Sequence, residues 1–115
     1  IEIDSVEQGV VTGRMPIVDA VRQPYGVVHG GAHAAFAESL ASAGTYMAVA
    51  TEGKVALGMT NSSQFLRATT EGTVHGEAVA IHRGRTTWVW DVQMKDDEGR
   101  LLAVSRLTIA VRDAR

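Results

Sequence analysis

The sequence of 115 residues contains no cysteine, which excludes disulfides, a thiolate nucleophile and cysteine-ligated zinc but leaves the redox compartment undecided. No apolar run approaches the roughly 20 residues that a membrane-spanning helix needs. The net charge is only −2, with 21% charged residues, so the chain lacks the basic field that nucleic-acid-binding proteins present. Neither a Gly-x-Ser-x-Gly elbow nor a phosphate-binding Walker loop occurs.

From these absences we expect one soluble, cytoplasmic domain over residues 1–115, with neither nucleic acid nor membrane among its partners. The chain starts at Ile1 instead of methionine, so we expect a few residues to precede it, and no signal peptide is visible. Its size allows one hydrophobic core but is short for an enzyme with a deep cleft of its own.

A turn-rich segment ends at the glycine pair Gly30–Gly31, and mostly small residues follow. Alanine has the lowest intrinsic cost in a helix and glycine permits a tight entry, so we predict one long helix from this pair to about Thr51. Glu52–Gly53 then marks its C-terminal stop. The first N–H groups of such a helix are unpaired and carry the positive end of its dipole, which predicts a site for an anion or a developing oxyanion.

Glu38 lies inside this predicted helix, among alanines and Phe36. One interpretation is a solvated glutamate on an outward face. The other is a half-buried side chain, because small apolar residues surround it closely. Burial raises the pKa of a carboxyl group and makes it a usable base or nucleophile. Periodicity alone leaves both interpretations open.

The pattern after the helix is that of β-strands. In the segment from Thr86 to Lys95, large apolar and polar side chains alternate, which predicts a strand buried on one face by Trp88, Trp90, Val92 and Met94. Asp96–Gly99 has the composition of a hairpin turn. The predicted strands are residues 5–18 with a bulge or bend, 55–69, 73–82, 86–95 and 101–111.

Two of these strands carry further expectations. In residues 101–111, apolar side chains occur at both odd and even positions, which predicts cover on both faces of this strand. In residues 55–69, the apolar residues Val55, Leu57, Met59 and Phe65 share one parity. One long helix and about five strands predict an α+β fold in which an antiparallel sheet wraps around the helix. A single sheet on a single helix leaves a face and an edge open, and we expect oligomerisation to cover them.

The pattern Gln23-Pro-x-Gly-x-x-His29-Gly30-Gly31, with Glu38 and Ser42 downstream, resembles that of the hotdog-fold acyl-CoA thioesterases. The most similar branch holds the 4-hydroxybenzoyl-CoA, phenylacetyl-CoA and 1,4-dihydroxy-2-naphthoyl-CoA thioesterases. The resemblance covers nearly the whole chain from about Ile3, and its further matching stretches are Gln64–Arg67, His82–Arg85 and Asp97–Arg100.

The resemblance implies a hotdog fold and hydrolysis of an aromatic or similarly bulky acyl-CoA to the free acid and coenzyme A. Within this branch, the 4-hydroxybenzoyl-CoA and 1,4-dihydroxy-2-naphthoyl-CoA thioesterases match the loop and the helix best. Their substrates are therefore the first candidates for this chain. No separate cofactor is implied, because coenzyme A is part of the substrate. Plausible linings of the acyl pocket are Phe36, Tyr46, Met59 and Phe65, although core packing is the commoner role for such residues.

The resemblance also implies roles for six residues. The Gly30 amide would polarise the thioester carbonyl, helped by Gly31, while Gln23 would donate a side-chain N–H or position the thioester. Glu38 would act either as nucleophile, through an anhydride, or as general base on a water, and the sequence does not separate these. Ser42, one turn after Glu38, would hold the water or simply bond back to a helix carbonyl. His29 would orient the site.

Spacing decides how many chains one such site needs. Gly30 and Glu38 are eight residues apart, about 12 Å along a helix, so both cannot act on one carbonyl from the same chain. We therefore expect a two-fold dimer with composite sites. A tetramer built as a dimer of dimers is also expected, although this spacing does not distinguish it from the dimer.

Coenzyme A carries phosphates that need cations. The matching turn offers Arg83, Arg85, the N–H groups around Gly84, the Thr86 hydroxyl and His82, although arginines at hairpin ends are usually only solvated charges. Arg67 and Arg100 are further candidates. A metal site at His29 and His33 is not expected, since a glycine follows the first histidine where the zinc-protease pattern has glutamate and no third ligand is evident.

Two other functions compete with hydrolysis. Hotdog domains also serve as non-catalytic acyl-CoA-binding modules, but a sensor has no need of a carboxylate such as Glu38 beside the thioester. A hotdog dehydratase acting on a hydroxyacyl thioester would need a different pairing of histidine and acid, which the sequence does not contain.

Overall fold

A computed structural model describes residues 1–114 of the chain. One long helix packs against one face of a six-stranded antiparallel sheet, which confirms the predicted α+β architecture. The strands are arranged across the sheet in the order β1-β2-β4-β5-β6-β3. The elements are β1 (Glu2–Glu7), β2 (Val10–Pro16), α1 (Gly30–Val49), β3 (Lys54–Phe65), β4 (Thr73–Arg83), β5 (Thr87–Lys95) and β6 (Leu101–Asp113).

The N-terminal part of the sheet differs from the prediction of one bent strand over residues 5–18. It is a hairpin in which β1 and β2 pair antiparallel from Glu7 opposite Val10 onward. Gly9 carries the turn with φ +78°, a backbone conformation that favours glycine. The sheet therefore has six strands instead of the five expected.

The helix begins and ends where the sequence predicts. It runs from Gly30 to Val49, continues as one 3-10 turn over Ala50–Glu52, and stops at Gly53, whose φ of +72° ends the helix in the left-handed conformation. None of the helices within residues 1–114 is both long and apolar enough to cross a membrane.

Small residues let the helix approach the sheet closely. At Gly44 a Cβ atom would lie 2.5 Å from the ring of Trp90, so any larger residue would push helix and strand apart. The alternation predicted for β5 is confirmed, since Trp88, Trp90, Val92 and Met94 are all buried against the helix. The core is therefore a layer between α1 and the inner faces of β2, β4, β5 and β6.

A buried hydrogen bond ties this layer together. The Trp90 indole N–H donates to Thr45 Oγ1 at 2.8 Å, and the same hydroxyl donates to the Ala41 carbonyl at 2.9 Å. Both side chains are completely buried. We expect Thr45→Val, which keeps the shape and removes the acceptor, to lower the free energy of unfolding by about 1–3 kcal/mol, because a buried N–H loses its partner.

Urea unfolding at one fixed protein concentration measures this loss, and the exposed Thr51→Val is the matched control. An unchanged midpoint for Thr45→Val would mean that the indole N–H does not depend on this hydroxyl.

The outer face of β6 departs from the prediction of cover on both sides. Its inward residues are buried, but Val104 and Thr108 are only half-buried and Arg106 is exposed, bound to Asp91 across the strand pair at 2.7 Å. Within one chain, this side of β6 is therefore open to solvent from Val104 to Thr108, whereas Leu102 and Ala110, of the same parity, are buried.

The two edges of the sheet are unlike each other. β1 is six residues long and carries Glu2, Asp4 and Glu7, charges that discourage further strand pairing. β3 is twelve residues long, has Lys54 as its only charged residue, and pairs with β6 on one side only. The open β3 edge is the part of the sheet best suited to accept another strand.

A bulge in β3 changes the face of the sheet on which its apolar residues lie. The register with β6 shifts between Gly58 and Thr60, which leaves Met59 as the extra residue. Leu57, paired with the outward-facing Ala110, therefore lies on the outer face, whereas Phe65 lies on the helix face. Their shared parity therefore does not place them on one face.

Candidate active site

The loop before the helix is held by backbone hydrogen bonds. The Gln23 N–H donates to the Val27 carbonyl at 2.7 Å, and Gly26, with φ +91°, makes the turn between them. Val28 donates to the Thr69 carbonyl at 2.9 Å. These bonds fasten the loop to the segment after β3, so Gln23 is held beside the start of the helix.

The helix start presents unpaired donors. His29 is its N-cap residue in extended conformation, and its carbonyl accepts from the N–H groups of Ala32 and His33 at 3.0 and 3.3 Å. The N–H groups of Gly30 and Gly31 have no backbone acceptor within the described chain, as expected for the first turn of a helix. They remain available to an oxygen atom of a ligand.

Glycine lets the Phe65 ring lie directly over the first of these positions. A Cβ atom at residue 30 would lie 2.6–2.9 Å from the ring of Phe65, which covers this point from β3. At Gly31 a Cβ atom would meet open space. Phe65 thus closes one side of the Gly30 amide and leaves the approach from the loop open.

Loop, helix start and the end of β3 enclose a cleft of about 290 Å³. Gln23 and Gly30, two of the predicted site residues, both line it, together with Arg67. The remaining lining residues are Val27, Val28, His33, Phe65, Leu66, Ala68 and Thr69. Of the predicted acyl-pocket residues, only Phe65 is in this cleft; Phe36 is buried in the core, and Tyr46 and Met59 are exposed elsewhere.

Glu38 is not part of this cleft. It lies two helical turns further along α1, where its carboxylate packs over β3, 2.8 Å from the position that a Cβ atom of Gly58 would occupy. Within one chain its side chain is exposed, which is the first of the two interpretations that the sequence left open. Gly58 is the residue that gives this carboxylate room on the sheet.

Ser42 lies one turn after Glu38 and is half-buried. The alternative role for Ser42 is a hydrogen bond from its hydroxyl back to a helix carbonyl. Such bonds are made instead by its neighbours in the helix. Ser39 Oγ donates to the Ala35 carbonyl and Thr45 Oγ1 to the Ala41 carbonyl, both at 2.9 Å. No such bond from Ser42 is present in residues 1–114, so its hydroxyl is available to other groups.

The two histidines of the helix start are in different environments. His29 is exposed, and its side chain makes no capping hydrogen bond. His33 is 3% exposed and stacks on Phe65 with ring centroids 6.2 Å apart. Burial lowers the pKa of His33, so its ring is neutral at pH 7. No group of three potential metal ligands occurs among residues 1–114.

The predicted coenzyme A residues of the β4–β5 hairpin lie at the other end of the helix. Arg83 borders a groove with Gly44, Met47 and Ala48, which belong to the last turns of α1. A helix of 20 residues is about 30 Å long, so most of its length separates this hairpin from Gly30 of the same chain. The structure does not bring the two predicted groups together within one chain.

The hairpin itself is tightly built. The Gly84 N–H donates to the Thr87 carbonyl at 2.9 Å, and a Cβ atom at Gly84 would collide with this carbonyl and with the His82 ring. Arg85 and Thr86 are exposed at its tip. Sequence reasoning missed Arg112, whose guanidinium donates to the Thr86 carbonyl at 2.9 Å and adds a cation beside the hairpin.

Arg100 has a structural role that the sequence did not indicate. It binds Asp96 at 2.7 Å and Glu98 at 3.0 Å within the β5–β6 turn. Burial acts to raise the pKa of Asp96, but hydrogen bonds from Arg100 and from the Glu98 N–H outweigh it and lower this pKa. The guanidinium is therefore engaged inside its own turn.

Comparison with known proteins matches residues 25–103 to the model of the thioesterase superfamily. A 1,4-dihydroxy-2-naphthoyl-CoA hydrolase of Listeria monocytogenes is 36% identical over 100% of this chain and 93% of its own length. A proofreading thioesterase of Cronobacter turicensis is 34% identical over 96% of this chain and 80% of its own. A solved thioesterase structure from Staphylococcus aureus has a TM-score of 0.93 at 36% identity, covering 96% of this chain and 92% of that one.

Proposed function

The chain belongs to the thioesterase superfamily as a thioester hydrolase of hotdog fold, and we propose that it hydrolyses an acyl-CoA with an aromatic or similarly bulky acyl group. The observation that carries this proposal is that the Gly30 and Gly31 amides at the head of the helix have no backbone acceptor within the described chain, while Gln23 lines the same cleft as Gly30. A relative named as a 1,4-dihydroxy-2-naphthoyl-CoA hydrolase supports an aromatic acyl group, and that compound and 4-hydroxybenzoyl-CoA are the first substrates to try.

In this proposal the thioester carbonyl binds at the helix start. The Gly30 N–H donates to the carbonyl oxygen, Gly31 is the second donor, and the helix dipole stabilises the negative charge that develops during attack. Gln23 is held close enough to the same cleft to position the thioester. His29, whose carbonyl already accepts the first helical bonds, orients this arrangement.

The attacking group comes from a second copy of the chain. Strand β3 runs antiparallel to α1, with Phe65 over Gly30, the Asn61 amide donating to the Ala34 carbonyl, and Gly58 under Glu38. If two β3 edges pair antiparallel about Asn61, residue 58 of one copy lies opposite residue 64 of the other. The partner subunit's Glu38 then faces the Gly30 cleft, and a dimer has two composite sites.

Glu38 acts there as nucleophile, through an anhydride, or as general base on a water molecule. Pairing of the β3 edges removes water from around the carboxylate, which is exposed in the single chain. Ser42, one turn away on the same helix, holds the attacking water. The proposal requires no metal and no cofactor, because coenzyme A arrives as part of the substrate.

Coenzyme A is held at its phosphates by the β4–β5 hairpin of another subunit. The hairpin offers Arg83 and Arg85, with His82, Gly84 and Thr86 between and beside them. Because the hairpin lies far from Gly30 of its own chain, this role requires at least a dimer, and we propose a dimer of dimers in the cytoplasm. Arg112 and Arg67 are further cations for the nucleotide.

The test is the release of free thiol from a panel of aryl- and alkyl-CoA esters by the purified protein. We expect aryl-CoA esters to be hydrolysed with a higher kcat/KM than short alkyl-CoA esters. Tight binding of the same esters without turnover of any of them would contradict the proposal and would favour a non-catalytic acyl-CoA-binding module.

A further inference from the structure

His33 is the unusual residue of the cleft. Its Nδ1 is a buried side-chain atom without a hydrogen-bond partner, the only one of this kind found in residues 1–114. Buried polar atoms in native proteins are nearly always hydrogen-bonded, so an exception calls for a physical reason. The ring lines the cleft at Gly30, which places the exception where a substrate would bind.

Because Nδ1 has no hydrogen-bond partner, we can infer which ring nitrogen carries the proton. Burial lowers the pKa of His33 and keeps the ring neutral, so a single proton is shared between two tautomers. A buried N–H without an acceptor is rarer in proteins than an under-used acceptor. The tautomer with its proton on Nε2 is therefore favoured. Since Nδ1 is sealed from solvent, Nε2–H is the group that a ligand in the cleft can reach.

The position of His33 fits a group on the acyl side of a bound thioester. His33 follows Gly30 by three residues on the same helix face, about 4.5 Å along the axis. A carbonyl held at the Gly30 amide is thus one helical turn from the imidazole. The cleft lining beside them includes Phe65, on which His33 stacks and against which an aromatic acyl ring can pack.

We propose that His33 is a specificity-determining residue that donates a hydrogen bond from Nε2 to a hydroxyl oxygen on the aromatic acyl group. The preferred substrates are then hydroxylated aryl thioesters, whereas an unsubstituted aryl ring packed against Nε2–H offers it no acceptor. A site built around such a donor discriminates against the analogue that lacks the oxygen. This inference rests on the proposed function of the same cleft.

The experiment compares kcat/KM for 4-hydroxybenzoyl-CoA, 3-hydroxybenzoyl-CoA and benzoyl-CoA in the wild type and in His33→Phe. The phenyl ring keeps the stack on Phe65 and loses the donor. Any electronic effect of the hydroxyl on thioester reactivity is common to both proteins and cancels in the ratio of their preferences. We expect the preference for the better hydroxylated ester to fall about three- to tenfold in His33→Phe, the effect of one hydrogen bond. His33→Gln, which restores an N–H donor, should recover part of it.

A binding measurement separates this inference from the proposed function. Ketone analogues, in which a methylene group stands between carbonyl and sulfur, bind without being hydrolysed, and calorimetry gives their Kd with and without the hydroxyl. A preference lost only in His33→Phe supports the inference even if no thioester is turned over. Hydrolysis by both proteins with the same preference overturns it and leaves the proposed function standing. An equal loss of kcat/KM for all three esters would mean that His33 serves folding or the binding of the coenzyme A part. This result would also overturn the inference.

Discussion

Replacing Glu38 by glutamine should lower kcat for aryl-CoA hydrolysis by about 10²–10⁴-fold, the range that a positioned acid–base group contributes. Glutamine keeps the size of the side chain and its packing over Gly58, but it can neither attack a carbonyl nor accept a proton from water. Substrate binding depends on the Gly30 cleft and on the arginines, so KM and the Kd of a ketone analogue should change little. Thiol release at saturating substrate measures the effect.

The matched control is Glu52→Gln, which changes an exposed glutamate at the far end of the same helix and should leave kcat unchanged. Turnover that survives Glu38→Gln would show that another group attacks the thioester, and the composite site described above would be wrong. Loss of binding together with turnover would instead indicate damage to the dimer.

Mixing two inactive variants should restore activity. In a dimer of Glu38→Gln with Gln23→Ala chains, one composite site contains the intact Gln23 of the first chain and the intact Glu38 of the second. The other site carries both changes. An equimolar, randomly assorted mixture has about half mixed dimers with one intact site each, and so it should reach about a quarter of wild-type activity. Thiol release after joint refolding or co-expression is the readout.

If each site were built within one chain, every site of a mixed dimer would carry one of the two changes. The mixture would then stay at the level of the two parent variants, and the trans arrangement of Glu38 would be refuted. Each variant refolded with itself is the control for effects of the procedure, and a size measurement on every sample establishes that dimers formed.

The helix and its start could be predicted because their determinants are local. The Gly30–Gly31 pair, the run of alanines and the Glu52–Gly53 stop each act through the conformation of a few neighbouring residues. The alternation of β5 was equally readable, because one of its faces packs on a single helix throughout. Gln23 and Gly30 could be paired in advance only through the resemblance to known thioesterases.

Features that depend on partners distant in sequence could not be predicted. The bulge at Met59 exists only in the register with β6, and it reverses the parity on which the apolar pattern of β3 was interpreted. The hairpin of β1 and β2 turns on the single residue Gly9, which also fits a bent strand. For His33 the sequence suggests only a metal-ligand role, because it does not show that the ring is buried against Phe65.

The pairing of β3 with β6 has a consequence for biosynthesis. β3 ends at Phe65, whereas its neighbour begins at Leu101, so the ribosome releases β3 well before the strand that it needs. At a synthesis rate of about 5–20 residues per second, β3 lacks β6 for several seconds, and both of its edges are unpaired during that time. Residues 60–64 of β3 are threonine, asparagine, serine and glutamine, so this part of the strand lacks the high hydrophobicity of aggregation-prone segments. The polar centre of β3 therefore protects the nascent chain during the interval before the sheet, and after it the dimer, can form.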